Sequence, residues 1–159
     1  MNLSASLFAS AHYLSLGLGF FGVAYRGVAL KEALEGLTAD RARKIFLGDA
    51  FWGVAALLWI ATGLMRAFGG LEKGSEYYLS NHIFWTKMII FGVICGIESK
   101  PMITFIKWRI AFKKGTPPAA GPEQIRQLRV INHIEMFLLV VMIFLAGFMA
   151  RGFGIVPAN

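Results

Sequence analysis

The sequence predicts an all-α protein, an integral membrane four-helix bundle forming one domain over residues 1–159, with both termini on the outer (periplasmic) side. Three observations carry this prediction. Hydrophobic residues make up 57% of the chain and mean hydropathy is +0.61, more apolar surface than a soluble domain of this size hides in its core. Four apolar segments, about 4–30, 48–68, 82–99 and 129–150, are each long enough at about 1.5 Å per residue to cross a hydrocarbon layer of about 30 Å. The basic residues are also unequally shared among the connections.

The first segment reads as a span rather than a cleavable signal, having no basic leader and no small-x-small cleavage site. After it, LTADRARKIFLGDA reads as a short surface helix with Thr38 as N-cap, and Ile45, Phe46 and Leu47 lead back into the membrane. The loop AFGGLEKGSEYYLSN turns on glycines and brings Tyr77 and Tyr78, with Trp85 just beyond, to the membrane surface. The third span is expected to break at Lys100-Pro101, because the residue before proline is pushed out of helical geometry. ITFIKWRIAFKK then continues as a basic amphipathic segment, either a helical extension or an interfacial helix. GTPPAAGP is linker-like, and the tail RGFGIVPAN is expected to be short and mobile.

The net charge of +7 is topological in origin. Lys31, Arg41, Arg43 and Lys44 follow the first span, and Lys100, Lys107, Arg109, Lys113, Lys114 and Arg126 follow the third. The intervening connection offers only Arg66 and Lys73, balanced by Glu72 and Glu76. Positive-inside asymmetry makes the first and third connections cytoplasmic, as for a multi-pass protein of the bacterial inner membrane, and argues against nucleic acid as a partner. Cys95 lies alone in the third span as a small packing residue, and without CxxCH there is no c-type haem attachment. Gly17, Gly19 and Gly22 in the first span, and Gly92 and Gly96 in the third, suit close helix approach, within the chain or in a homodimer.

Ionisable residues inside spans are costly and mark functional sites by default. Helical rotation puts His12 within about 40° of Arg26, Asp49 within about 20° of Arg66 and Lys87 within about 20° of Glu98, while His133 aligns with Arg151. Because successive spans run in opposite directions, these residues fall into two layers. The outer layer holds His12, Arg66, Lys87 and Arg151. The inner holds Arg26, Asp49, Glu98 and His133, with Glu135 close by. The inner layer mixes signs and reads as structural pairing. The outer layer lacks a carboxylate within the spans, so an anionic group is expected there, unless Glu72 and Glu76 fold over it or the arginines snorkel to headgroups.

On the face of His12 follow Ser15, Gly19 and Gly22, which leave room for a flat ligand such as haem b with His12 as axial ligand to iron. Its propionates would then meet Arg66, Lys87 or Arg151. The plainer reading is an interhelical hydrogen bond from His12, with the glycines there for packing. His82 lies too near the surface, and His133 too far inward, to serve as a second ligand.

The stretches DAFWGVAALLWIATGLMR and KGSEYYLSNHIFWTKMIIF, the Glu98-Ser99-Lys100-Pro101 turn and the closing MARGFG resemble a bacterial family of four-span "predicted membrane proteins" of undefined function. More distantly, the layout is similar to the membrane-embedded protoporphyrinogen IX oxidase and to copper-resistance D-type membrane domains. In the oxidase family a first-span histidine and a third-span lysine are functional and haem b is bound, which implies matching roles for His12 and Lys87. Other motif residues of the oxidase have no match here, so its substrate does not carry over.

The leading expectation is a haem b-binding, cytochrome b-like membrane protein, with His12 as ligand and Lys87, Arg66, Arg151 and Gly19 around the cofactor. It would act in electron transfer or as a haem-dependent oxidoreductase, with quinone as a partner. Two alternatives stay open: a cofactor-free carrier or binding protein for a small anion, lipid or metal, and a structural subunit of a larger complex. Metal binding finds no HxxxH, CxxC or paired carboxylates, and hydrolysis finds no nucleophile–histidine–carboxylate set in one layer.

Overall fold

A computed structural model describes residues 3–71 and 73–155. Its elements run α1 (Leu3–Ala33), α2 (Ala39–Phe68), α3 (Ser75–Leu79), α4 (His82–Lys113) and α5 (Pro122–Ala150). Four of these are long and apolar enough to cross a membrane. At 29 to 32 residues each they are about 45 Å long, so their ends outreach the hydrocarbon. Only 17–28% of the most apolar stretch of each is buried within the protein. Large side chains such as Leu14, Leu57, Ile89, Phe137 and Phe144 point outward, as a bilayer-embedded bundle requires.

Helices α1 and α2 form a tight hairpin and share the most extensive contact of the bundle. Thr38 caps α2 by accepting from Arg41 N. The segment expected as a separate surface helix is instead the first turns of α2, because Ile45 and Phe46 pack directly onto the α1 end. Glycine makes this seam. A Cβ on Gly22 would lie 2.6 Å from Trp52 N, and one on Gly48 would lie 2.7 Å from Arg26 N.

Pro101 does not end the third span. It is buried inside an unbroken α4. A proline inside a helix costs about 3 kcal/mol, and here tertiary contacts on both sides offset it. Glu98 pairs with Arg26 on one side, while on the other Phe105 and Trp108 enter the core and Arg109 pairs with Asp49. The basic segment is therefore a helical extension.

The core falls into three layers. Ala29, Leu30, Ile45, Phe105, Trp108, Ile125 and Leu128 fill the half near the α1–α2 and α4–α5 turns, hereafter the hairpin half. Val23, Trp52, Ile94 and Leu139 fill the middle. Ala67, Tyr78 and Phe84 close the other half, where α1 begins and α5 ends, hereafter the terminal half.

Residues 151–155 of the tail are docked rather than mobile. Ile155 pairs with Asn81 in an isolated antiparallel bridge and His82 N donates to Gly154 O at 2.9 Å. The last four residues lie outside the described ones. Asn81 is fully buried. Its side chain accepts from Ile83 N and Phe84 N and donates to Phe153 O. Asn81→Ala is expected to cost about 1–2 kcal/mol, read as a lower unfolding midpoint of the purified protein, with proteolysis of the tail accelerated.

Candidate functional site

The outer layer of the sequence corresponds to the terminal half, and there α1, α2, α4 and α5 line a partly open cavity of about 290 Å³. Its wall is mostly apolar and aromatic, with Trp59, Phe84, Phe91 and Met142 among its residues. His12, Arg66 and Lys87 all line it, so three residues far apart in sequence do meet. Arg151 does not line it. It caps α5 and is exposed. Lys73 lines the cavity in its stead. Its ammonium donates to Tyr77 OH and Ala150 O, both at 3.1 Å, and Tyr77 OH donates to Met149 O at 2.5 Å. The loop with α3 thus closes the end of the bundle. Glu72, weighed above as a counter-charge, lies outside the described residues.

His12 is half-buried, with its Nδ1 2.8 Å from Thr62 Oγ1. The Thr62 hydroxyl in turn lies 2.6 Å from Leu58 O. A hydroxyl has one proton to give, and a carbonyl can only accept. The arrangement that satisfies all three groups has His12 Nδ1–H donating to Thr62 Oγ1 and Thr62 donating to Leu58 O. In the neutral ring the lone pair is then on Nε2. Gly63, one residue on, lies alongside the ring, where a Cβ would be 3.4 Å from His12 Cε1. Trp59 lies across from it, ring centroids 5.7 Å apart, and its buried Nε1 has no hydrogen-bond partner among the described residues.

Arg66 lies over the Tyr13 ring at 5.5 Å. Lys87, half-buried on α4, makes no hydrogen bond or ion pair among the described residues. An ammonium in a mostly apolar wall, with no counter-charge among the described residues, is the feature that most calls for an anionic occupant.

Gly19 does not open space for a ligand. A Cβ there would be 3.3 Å from the Trp52 ring and 3.5 Å from Ala55, so the glycine serves α1–α2 packing. Gly92 and Gly96 have nothing within 4 Å and take no part in packing within the chain. Cys95 is likewise exposed rather than packed.

The inner layer is a single network around Arg26, which is fully buried. Arg26 Nε donates to Asn132 Oδ1 at 2.8 Å. Its Nη1 reaches Glu98 Oε1 at 2.8 Å and Asp49 Oδ1 at 3.5 Å. Its Nη2 reaches Glu98 Oε2 at 3.2 Å and also Glu135 Oε2. Arg109 joins from α4, 2.8 Å from Asp49 Oδ2. His133, expected here, is exposed, with Nδ1 2.6 Å from the Arg129 carbonyl. The polar face of α5 is set by Asn132 and Glu135, about 100° and 160° round the helix from His133 in the same direction.

Sequence reasoning missed Thr62, Asn132 and Arg109. Thr62 stands one turn before Arg66 on the same face of α2, a signal that was present. Asn132 and Arg109 had no such marker.

No curated protein and no solved structure matches the chain. The family model described as "Predicted membrane protein (DUF2214)" matches residues 4–154, taking in all five helices, the cavity and the Arg26 network. The chain therefore belongs to that membrane-protein family.

Proposed function

We propose that the terminal-half cavity is a haem b site and that the protein is a cytochrome b-like electron carrier or oxidoreductase of the bacterial inner membrane. The observation that carries this reading is the His12–Thr62 hydrogen bond, which favours the tautomer whose Nε2 is the metal-binding nitrogen of a ring on the cavity wall. The other residues fit the group. Trp59, Phe84 and Phe91 offer flat apolar walls, and Arg66, Lys73 and Lys87 offer cations to its two carboxylates. When bound, haem b supplies one-electron chemistry, with quinone as a membrane-soluble exchange partner. His12 would hold the iron, Thr62 would fix the imidazole ring, and Lys87 would neutralise a propionate. Neither His82 nor His133 lines the cavity, so His12 is the histidine that would hold the iron. The basic α1–α2 and α4–α5 connections face the cytoplasm, leaving the termini and the cavity on the periplasmic side.

The test is a visible spectrum of detergent-purified protein after haem reconstitution, oxidised and then dithionite-reduced. A Soret band is expected, with His12→Ala losing it or changing its form. Thr62→Val should weaken haem affinity about 10-fold or more. No Soret absorbance after reconstitution, or an unaltered His12→Ala spectrum, sinks the reading.

The volume of about 290 Å³, modest for a macrocycle, and a Lys87 with no ion pair among the described residues favour a second reading: a cofactor-free binding protein for a small anionic amphiphile. Its mark is ligand binding that Lys87→Met abolishes and His12→Ala leaves intact.

A further inference from the structure

The Arg26 network holds more negative than positive charge. Arg26 on α1 and Arg109 on α4 face Asp49 on α2, Glu98 on α4 and Glu135 on α5. Asn132 is the neutral member, and the Cys95 thiol, one turn before Glu98, faces outward. Lys31, Arg129 and His133 line a recess between α1 and α5 that Asn132 also borders, and among the described residues they make no ion pair with the network. Two guanidinium groups against three carboxylates leave one negative charge in excess, inside an apolar bundle where an uncompensated charge is expensive.

Geometry identifies the carboxyl left over. Every N–H of the Arg26 guanidinium is committed: Nε to Asn132, Nη1 to Glu98 and Asp49, Nη2 to Glu98 and Glu135. Glu98 takes both ends of the fork. Asp49 takes its closer bond from Arg109. Glu135 is 0% exposed, and its Oε1 is buried with no hydrogen-bond partner among the described residues. Its other oxygen shares Nη2 with Glu98 Oε2, so the two carboxyls converge on one nitrogen. Two carboxyls converging on one nitrogen repel each other's charge, which favours a proton held between them.

We infer that Glu98 and Glu135 form a proton-binding site in the hairpin half of the bundle, in which the pair shares a single proton at neutral pH. The proton makes the network electroneutral and removes the bare charge that Glu135 Oε1 would otherwise carry. Glu98 is the point of exchange, since its side chain is 16% exposed while that of Glu135 is 0%. This site is distinct from the cavity and needs no haem.

Infrared spectroscopy of the full-length protein in lipid nanodiscs at pH 7, in H2O and D2O, tests the assignment. The wild type should show the carbonyl stretch of about one protonated carboxylic acid per chain, shifted downward in D2O. Glu135→Gln and Glu98→Gln should each lose the band, since either leaves two carboxylates for two guanidinium groups, whereas Glu123→Gln at the exposed start of α5 should keep it. A wild-type spectrum without the band overturns the assignment whether or not the variants fold, and so does a band that survives in both Glu98→Gln and Glu135→Gln. Haem spectra are not involved, so failure here leaves the cavity reading untouched and the reverse also holds.

Discussion

Arg26→Met should be the most damaging single substitution in the bundle, lowering stability by about 3–5 kcal/mol. The side chain is fully buried and is the hub on which Asp49, Glu98, Glu135 and Asn132 converge from three other helices. Removing it leaves carboxyls on α2, α4 and α5 with only Arg109 among the network's cations to compensate them. Arg26→Lys should recover little, because an ammonium has three donors on one atom and cannot reproduce a planar fork reaching four partners. Combining Arg26→Met with Glu98→Gln and Glu135→Gln should restore part of the loss, since the excess negative charge goes with the arginine. The measurement is the unfolding midpoint of purified protein titrated with SDS in mixed micelles. A midpoint for Arg26→Met corresponding to less than about 1 kcal/mol of destabilisation would show that the network is not a structural hub.

Gly48→Ala should be nearly as harmful for an unrelated reason. The added Cβ would lie 2.7 Å from Arg26 N and 2.9 Å from Arg26 Cα, both backbone atoms that no rotamer change can move. The helices must separate, which opens the tightest seam in the molecule and displaces Arg26 from its partners. Overpacking of this kind costs about 1–3 kcal/mol, and the ion pairs are strained in addition. Gly22→Ala meets Trp52 N and Gly48 O from the other side and should behave alike. Gly92→Ala and Gly96→Ala provide the contrast: nothing lies near either position, and alanine is the better helix former by about 1 kcal/mol. Those two variants should be neutral or slightly stabilised in the same titration. Equal losses at all four positions would mean that the α4 glycines pack against something as closely as the α1–α2 seam does, as a second copy of the chain would.

The substitutions also separate the two halves of the molecule. Arg26 and Gly48 lie in the well-packed part, where their loss is read as stability. His12, Thr62 and Lys87 border a cavity, where their loss is read as ligand affinity with the fold retained.

What the sequence determined by itself was whatever depends on local composition and period. The four apolar helices follow from hydropathy and length, the Thr38 cap from a hydroxyl before a helical run, and the two polar layers from the 100° rotation per residue combined with antiparallel spans. His12, Arg66 and Lys87 could be assigned to one layer because depth in a membrane is read from position along a span. The tertiary structure alone decided which polar residues face one another. Rotation about a helix axis is set by packing against neighbours, so adjacent candidates such as Asn132 and His133 differ only by which side of α5 meets α1. That choice put Asn132 and Glu135 on Arg26 and left His133 outside. The same logic governs Pro101 and Gly19. Proline's local preference to end a helix was overridden by core contacts on both sides of it, and the space beside Gly19 was filled by Trp52, a residue of another helix.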